Sequence, residues 1–465
     1  MKSWKGRTVL IIGAARQGLA LARYLASHGA RVILNDQREP AALQLAREEL
    51  AGFDIDWRLG SHSLDLLEGV DLVCPSGGVS LTLPLVSEAM RRGVAISNDS
   101  QIFMELVPCR VLAITGSAGK TTTTTLVGRM AQSATSTIPD MGKVYVGGNI
   151  GLPLISFVDG MQANDLVVME LSSFQLEIMD RSPDVAAVLN ITPNHLDRHG
   201  TMDAYQAAKA RILAFQGTGS AAVLGHGDPG AWSLRSQVKG RLVSFGFDRP
   251  PASGEGACLE DEMIILYQEG QKLEIMPRQA VSLRGDHNLL NVLAACAVAA
   301  AAGFPVKAMQ EGVRGFSGVD HRLQWVRRWN GVEWYNDSIA TAPERAIASI
   351  QSFSEPLVLL AGGRDKNLPW EEFARVARRR LKHLVLFGEA AGMIGRVVEN
   401  CQAQPGDCLQ SIVECRGLQE AVQAAAGLAE PGDVALLAPG GTSFDEFKDF
   451  EERGQWFKTW VNELQ

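Results

Sequence analysis

The text from Val111 to Thr125 constrains this chain more than any other stretch. An apolar run, Val111–Thr115, leads at once into Gly116-Ser117-Ala118-Gly119-Lys120-Thr121 and then into more threonine. A strand that ends in a glycine-rich turn and restarts as a helix is the unit from which a phosphate loop is made. Such a unit belongs in a parallel sheet covered by helices, because the strand is apolar on both sides and parallel neighbours need long crossovers. The rest of the chain agrees with this. Val9–Ile12, Val32–Leu34, Asp71–Cys74 and Val94–Ser97 read as strands, with helical text such as Leu19–Ser27 and Ala41–Leu50 between them. Further strands read at Asp165–Met169, Val185–Asn190 and Leu242–Phe245, and Asn288–Ala302 is a long Ala/Leu helix. β-like text restarts at Leu323–Tyr335, followed by strands at Leu357–Leu360, His383–Phe387 and Val434–Leu437. Alternation of this kind predicts an α/β fold.

Two breaks interrupt it, one at Leu106–Arg110 around Pro108 and one at Gly312–Val319. The expected organisation is three consecutive domains: a Rossmann-like N-terminal domain over residues 1–108, a central P-loop ATPase domain over 109–318 and a Rossmann-like C-terminal domain over 319–465. A length of 465 residues fits, at roughly 100–200 residues per domain. Composition excludes several classes. With 44 Lys+Arg against 52 Asp+Glu, the net charge of −8 speaks against nucleic-acid binding, which needs a basic surface. The basic run Arg378-Arg379-Arg380 with Lys382 reads as a solvated helix face. The seven cysteines form no C-x-x-C pair, so no zinc site is expected, and their odd count suits a reducing cytoplasm. No apolar run approaches the ~20 residues that span a bilayer. Lys2, Lys5 and Arg7 before Val9–Ile12 imitate a signal peptide, but Gly13, Arg16 and Gly18 interrupt the run. A cytoplasmic monomer is expected.

The phosphate loop carries the clearest chemistry. Its glycines let backbone N–H groups approach phosphate oxygens, and the helix start adds partial positive charge. Lys120 can reach terminal phosphates and Thr121 offers a hydroxyl to Mg²⁺. The full spacing would want glycine at position 114, where this chain has Ile114. ATP or GTP binding follows. A second turn, Gly13-Ala14-Ala15-Arg16-Gln17-Gly18, sits where a dinucleotide fingerprint would, but Ala15 replaces the middle glycine and obstructs a pyrophosphate. Asp36 ends the next strand and suits a sugar or base edge. A variant site for another nucleotide, such as a uridine diphosphate sugar, fits this turn at least as well as NAD. A purely structural turn fits too. Glu170 ends an apolar strand at the sheet edge where ligands gather, and suits Mg²⁺ directly or through water. His195 follows the adjacent strand in Asn190-Ile-Thr-Pro-Asn-His195-Leu-Asp-Arg198, where an ordinary solvated histidine fits as well. Lys209, on an Ala-rich helix, reads from its own neighbourhood as a surface lysine.

In combination these residues resemble the Mur ligases, which add amino acids to the peptidoglycan precursor, and more distantly the folylpolyglutamate synthases. The likeness rests on Thr115–Thr121, Gly147-Gly-Asn149-Ile-Gly151, Glu170-Leu-Ser-Ser-Phe-Gln175, Asn190–Arg198 and Gly285-Asp-His-Asn288-Leu-Leu-Asn291 in that order, and covers essentially the whole chain. Asn336-Asp337-Ser338-Ile-Ala-Thr341, Gly362-Gly-Arg-Asp-Lys366 and the stretch Ser443–Gly454 resemble the branch that adds D-glutamate. The Asp-Asn-Pro-Arg motif of the diaminopimelate-adding branch is absent from the sequence.

The resemblance implies substrates and roles. The substrates would be ATP with Mg²⁺, UDP-N-acetylmuramoyl-L-alanine and D-glutamate, with no nucleic acid and no membrane as partner. Gly116, Ser117, Ala118, Gly119, Lys120, Thr121 and Thr122 would hold ATP phosphates. Asn288 and Asn291 would lie on the adenine side, and Arg322 and Asp337 would complete the ATP site. Thr121, Glu170, His195 and Lys209 would serve the metal, Lys209 as a carbamate. Lys120, Lys209, His195 and Asn149 would be the catalytic set. Ala15, Arg16, Asp36, Arg38, Ser76 and Gly77 would hold the uridine diphosphate moiety, and Lys366, Thr341, Ser443, Phe444 and Phe450 the D-glutamate. Two departures stand out: the family commonly has lysine where this chain has Ile339, and asparagine where it has Ala118. Three other readings remain: a ligase for a different amino acid or folate, a P-loop regulatory protein without ligase chemistry, and an NAD-dependent oxidoreductase, which Ala15 opposes.

Overall fold

A computed structural model describes residues 3–151, 153–251, 254–283 and 285–465. The chain forms two compact units, Met1–Phe316 and Ser317–Gln465. Among the described residues the first unit contains two sheets, so the expected first and second domains share one compact body. Its smaller sheet runs Ile55–Leu59, Arg31–Asp36, Thr8–Ile12, Leu72–Pro75, Ala95–Ile96, all parallel. The strand expected at Val94–Ser97 is pared to two residues, and the helix expected over Ala41–Leu50 is a 3-10 turn, Pro40–Leu43, followed by a short helix, Gln44–Glu49. Pro40 forces that turn, because it fixes φ and has no N–H to donate.

The larger sheet decides where the chemistry sits. Its strands run Gln271–Pro277, Met263–Gln268, Gly256–Glu260, Arg241–Phe245, Ala221–Gly225, Val185–Val188, Arg110–Thr115, Leu166–Glu170 and Val144–Gly148. The last six are parallel and the first three form an antiparallel meander. Leu166–Glu170 is thus flanked by Arg110–Thr115 and Val144–Gly148, with Glu170 level with Ile114 on one side and Gly148 on the other. The carboxyl ends of three neighbouring strands therefore deliver the phosphate loop, Glu170 and Asn149 to one edge. Behind this edge the helix Asp286–Ala302 is buried over nearly its whole length, as its Ala/Leu text requires. Its alanines let it lie close against the sheet without a large side chain to displace.

A polar seam joins the two sheets of this unit. Asn98 Nδ2 donates to the carbonyl of Gln175 at 2.9 Å, and Gln175 Nε2 donates to Ser100 Oγ at 2.7 Å. Both lie in buried surroundings, so each bond also removes the cost of an unsatisfied amide.

The second unit carries one sheet among the described residues: Gln324–Trp329, Val332–Asn336, Val434–Gly440, Leu357–Gly362, Leu381–Phe387, Ser411–Cys415. The expected β text at Leu323–Tyr335 is an antiparallel hairpin, and the other pairs are parallel. Among the described residues no helix is long and apolar enough to cross a membrane.

Candidate active site

The phosphate loop is built by its surroundings as much as by its own sequence. Gly119 adopts φ +82°, and a β-carbon there would sit 2.1 Å from Asn291 Oδ1. Glycine is required on both counts. The loop is tied to the neighbouring strand end: Ser117 N donates to the carbonyl of Asn190 at 3.0 Å, Ser117 Oγ to the carbonyl of Thr192 at 3.0 Å, and Ala118 N to Asn190 Oδ1 at 2.8 Å. Asn190 is thus a loop-shaping residue that the motif contained without revealing its task. Lys120 opens the helix Lys120–Ala134, and its Nζ donates to the carbonyls of Gly116 at 2.9 Å and Ser117 at 3.3 Å. The ammonium therefore lies over the mouth of the loop. Thr122 follows it, partly exposed, in the first helical turn. Asn288 and Asn291 share one face of the helix Asp286–Ala302, with Asn291 Nδ2 donating to Asn288 Oδ1 at 3.3 Å. Asn291 thereby backs Gly119. We expect Gly119→Ala to weaken nucleotide affinity by about tenfold or more, since it adds left-handed strain of roughly 1–2 kcal/mol and a steric overlap. Calorimetric titration measures this directly, and unchanged affinity would contradict the required geometry.

Glu170 stands 1% exposed with both carboxylate oxygens engaged. Thr121 Oγ1 donates to Oε2 at 2.8 Å and Asn149 Nδ2 donates to Oε1 at 2.8 Å. Thr121, Glu170 and Asn149 are therefore one cluster, as their positions at three strand ends predict. Lys209 projects from the helix Met202–Ala214 and is not the surface lysine its neighbours suggested. It is 1% exposed, donates to the carbonyl of Gly116 at 2.9 Å and lies 4.8 Å from the Tyr205 ring centroid. Burial, then the nearby Lys120 charge, lowers its pKa to about 7, with Glu170 opposing. Tyr205 also reaches the loop, its hydroxyl 3.0 Å from Ser117 Oγ. His195 caps the helix Leu196–His199 at φ +53°, with its ring edge-on to Phe174 at 5.1 Å between centroids. Its ring also stands 6.5 Å from that of Tyr205, edge-on.

In the first sheet, the turn Gly13–Gly18 is tight because a β-carbon on Gly18 would lie 1.9 Å from the Gly13 carbonyl oxygen. Ala15 and Arg16 are exposed at the start of the helix Arg16–Ser27, and Ser76 Oγ donates to the Gly13 carbonyl at 3.0 Å with Gly77 next in the chain. Asp36 accepts from Ala14 N at 2.8 Å and from Arg38 N, Nε and Nη2 at 2.9, 2.9 and 2.7 Å. Burial would raise its pKa, but these bonds outweigh that and hold it down to about 2. Its oxygens are spent on the turn and on Arg38, so Asp36 shapes this site from beneath.

The second unit gathers its own set. Lys366 Nζ donates to Thr341 Oγ1 at 3.2 Å, and burial together with Arg345 lowers the Lys366 pKa. Asp337 is buried and accepts from Leu323 N at 2.9 Å and from Ser349 Oγ, and its pKa is raised by burial. Arg322 pairs through its backbone with Val319. Ser443 is buried, Phe444 is 62% exposed, and Phe450 opens the last helix with its ring 6.3 Å from His321. Sequence reasoning passed over Arg453, which is fully buried and donates to the Ser338 and Thr442 loops.

A phosphate loop on a parallel sheet, with a carboxylate at the next strand's end, defines a nucleotide-binding α/β protein of the P-loop class. Three family models narrow this. Residues 7–98 match the Mur ligase MurD-like N-terminal domain, 114–299 the Mur ligase middle domain and 321–441 the Mur ligase glutamate ligase domain. The chain is 40% identical over 465 residues to UDP-N-acetylmuramoylalanine--D-glutamate ligase of Pelotomaculum thermopropionicum, covering 100% of this chain and 99% of that one. It is 38% identical over 454 residues to the protein of the same name from Symbiobacterium thermophilum, covering 98% and 97%. The chain belongs to the Mur ligase family. Among solved structures, UDP-N-acetylmuramate-alanine ligase of Thermotoga maritima matches with a TM-score of 0.55 at 19% identity, covering 99% and 100% of the two chains. A UDP-N-acetylmuramoyl-L-alanyl-D-glutamate--2,6-diaminopimelate ligase matches at 0.53 and 16%, covering 99% and 93%. These two likenesses bear on the fold alone.

Proposed function

We propose that this protein is an ATP-dependent amide ligase that joins D-glutamate to UDP-N-acetylmuramoyl-L-alanine in the assembly of the peptidoglycan precursor. One observation carries the site's part of this reading: Thr121 of the phosphate loop and Asn149 share the carboxylate of Glu170. A carboxylate is a poor electrophile, so the alanyl carboxylate must first be activated as an acyl phosphate. The amine of D-glutamate then attacks the acyl carbon and phosphate leaves. The backbone N–H groups of the loop and Lys120 take up the negative charge of the phosphates. Asn149, which bonds Glu170, is proposed to orient the substrate carboxylate.

The donors present suit Mg²⁺. Among the described residues no cluster of three or more His, Cys, Asp or Glu side chains could hold a metal. Thr121 and Glu170 supply a few hard oxygens beside a phosphate site, and Mg²⁺ is typically held by one or two carboxylates with phosphates and water completing its shell. His195 and a carbamylated Lys209 are the further candidate ligands. When bound, the ion would neutralise phosphate charge and polarise the transferring group. In the second unit, Lys366 with Thr341, Ser443, Phe444 and Phe450 is proposed to hold D-glutamate. Lys366 then supplies the cation that Ile339 withholds.

The test is phosphate release from ATP and Mg²⁺ in the presence of UDP-N-acetylmuramoyl-L-alanine, with D-glutamate, L-glutamate, L-lysine or diaminopimelate. Release is expected only with the nucleotide precursor and D-glutamate together. Release with a different amino acid moves the specificity, and release indifferent to both substrates removes the ligase reading.

A further inference from the structure

Gln17 lies in the first sheet's glycine turn, yet its side chain reaches the second sheet. Its Nε2 donates to the carbonyl oxygen of Gly148 at 3.0 Å, across 131 positions of sequence. That carbonyl and the N–H of Asn149 belong to one peptide unit, which is planar and rotates as a whole. The N–H end of the same unit donates to the carbonyl of Glu170 at 2.9 Å. The peptide is therefore clamped at both ends, by Gln17 on its oxygen and by Glu170 on its hydrogen. No side chain interferes, because Gly148 sits at φ +101° and a β-carbon there would lie 2.4 Å from the Glu170 carbonyl oxygen. Fixing this plane fixes the direction in which the Asn149 side chain leaves the backbone, and that side chain bonds Glu170 Oε1 at 2.8 Å. The other end of the Gln17 amide faces the loop after the strand Leu72–Pro75: a β-carbon on Gly77 would stand 3.7 Å from its Oε1.

We propose that Gln17 is a positioning residue, which sets the Gly148–Asn149 peptide from the nucleotide-precursor side and so holds Asn149 against Glu170. This rests on the ligase reading for its consequence in turnover, but the clamp itself does not. A donor one methylene shorter would not span the gap, and an acceptor in its place would repel the Gly148 carbonyl. The inference therefore belongs to the carboxamide of glutamine and not to bulk at this position.

The experiment compares wild type, Gln17→Met, Asn149→Ala and the double variant. Methionine keeps the length and removes the donor. Loss of one oriented hydrogen bond predicts a fall in kcat of about fivefold to tenfold, with the KM for ATP within about twofold. Gln17→Met should add nothing further to kcat in the Asn149→Ala background, a coupling that a merely structural role would not produce. In the unliganded protein, amide hydrogen exchange over residues 144–151 should quicken in Gln17→Met, because the Asn149 N–H loses its fixed plane. A change confined to the KM for the UDP precursor, additive effects in the double variant, or unchanged exchange each overturn the proposal. Absence of D-glutamate-dependent turnover in wild type would instead strike the ligase reading, and the exchange rates would still decide the clamp.

Discussion

Replacing Lys209 by arginine is expected to lower turnover by about a thousandfold while leaving the fold intact. Removing a ligand of the cation that would stabilise transferring phosphoryl charge has effects of this order. Lys209 is buried against Gly116 and Tyr205, with its pKa brought down to about 7 by burial and by Lys120. An ordinary lysine near pKa 10.4 is almost entirely protonated at neutral pH, and its neutral amine is scarcer by a factor of about a thousand. Only the neutral amine attacks carbon dioxide. The site thus supplies the form of lysine that carbamylation requires, and the product would put an anion beside Gly116 and Thr115, within the field of Glu170. Arginine keeps the positive charge and cannot make this exchange. Two measurements separate the modification from a plain structural lysine. Protein equilibrated with ¹³C-bicarbonate should show a carbamate carbon resonance that Lys209→Arg lacks. Stripping carbon dioxide at mildly acidic pH should slow the wild type and leave the variant's residual rate unchanged. Full activity in Lys209→Arg would end the carbamate reading.

Lys209 also shows which parts of this molecule its sequence declares. The parallel α/β character was legible because apolar runs and glycine turns are local signals, and the strands read from them lie within a few residues of their place, whereas Ile55–Leu59, Val144–Gly148, Ala221–Gly225 and Ser411–Cys415 carry too little apolar text to declare themselves. The phosphate loop was legible for the same reason. Lys209 was not, since its surroundings are built by Gly116 and Tyr205, which come to it only in three dimensions. The meander Gly256–Pro277 was invisible because its strands are short and neither Gly256–Glu260 nor Gln271–Pro277 keeps a period-2 pattern, and the pairs of Glu260 with Arg249 and Lys272 form only in three dimensions. The run Arg378–Arg380 reads as a solvated face, but Arg378 Nε donates to the Val398 carbonyl and Arg380 Nη2 to that of Phe353. Charge runs do not reveal which of their members cap backbone carbonyls. Gln17 and Asn190 escaped notice because their tasks are hydrogen bonds to distant backbone.

Arg453 yields the largest expected loss of stability. It is fully buried in the last helix, Phe450–Glu463, and burial lowers its pKa to about 10, which still leaves it charged at neutral pH. Its Nε donates to Ser338 Oγ at 3.0 Å, Nη1 to the carbonyls of Gly441 and Thr442 at 3.2 and 2.9 Å, and Nη2 to those of Ser338 and Gly441 at 2.9 and 3.2 Å. One guanidinium thus ties the loop after the strand Val332–Asn336 to the loop after Val434–Gly440. Those loops carry Thr341 and Ser443, two of the proposed D-glutamate residues. The planar fork explains why arginine stands here, because lysine's three donors on a flexible stem cannot meet carbonyls on two loops at once. Arg453→Met keeps much of the volume but takes the guanidinium donors from the carbonyls of Ser338 and Gly441, each costing about 1–3 kcal/mol, while that of Thr442 still accepts from Arg364 N. We expect the second unit to lose about 3 kcal/mol or more, and Arg453→Lys to recover only part of it. Most of the chain's tryptophans lie in this unit, so fluorescence in a urea titration reports mainly on it. The midpoint should move to lower urea, and D-glutamate affinity should fall with it at urea concentrations where the variant is still folded. A methionine variant with wild-type midpoint would show that the two loops hold their positions without the guanidinium, and the proposed D-glutamate site would then need another organiser.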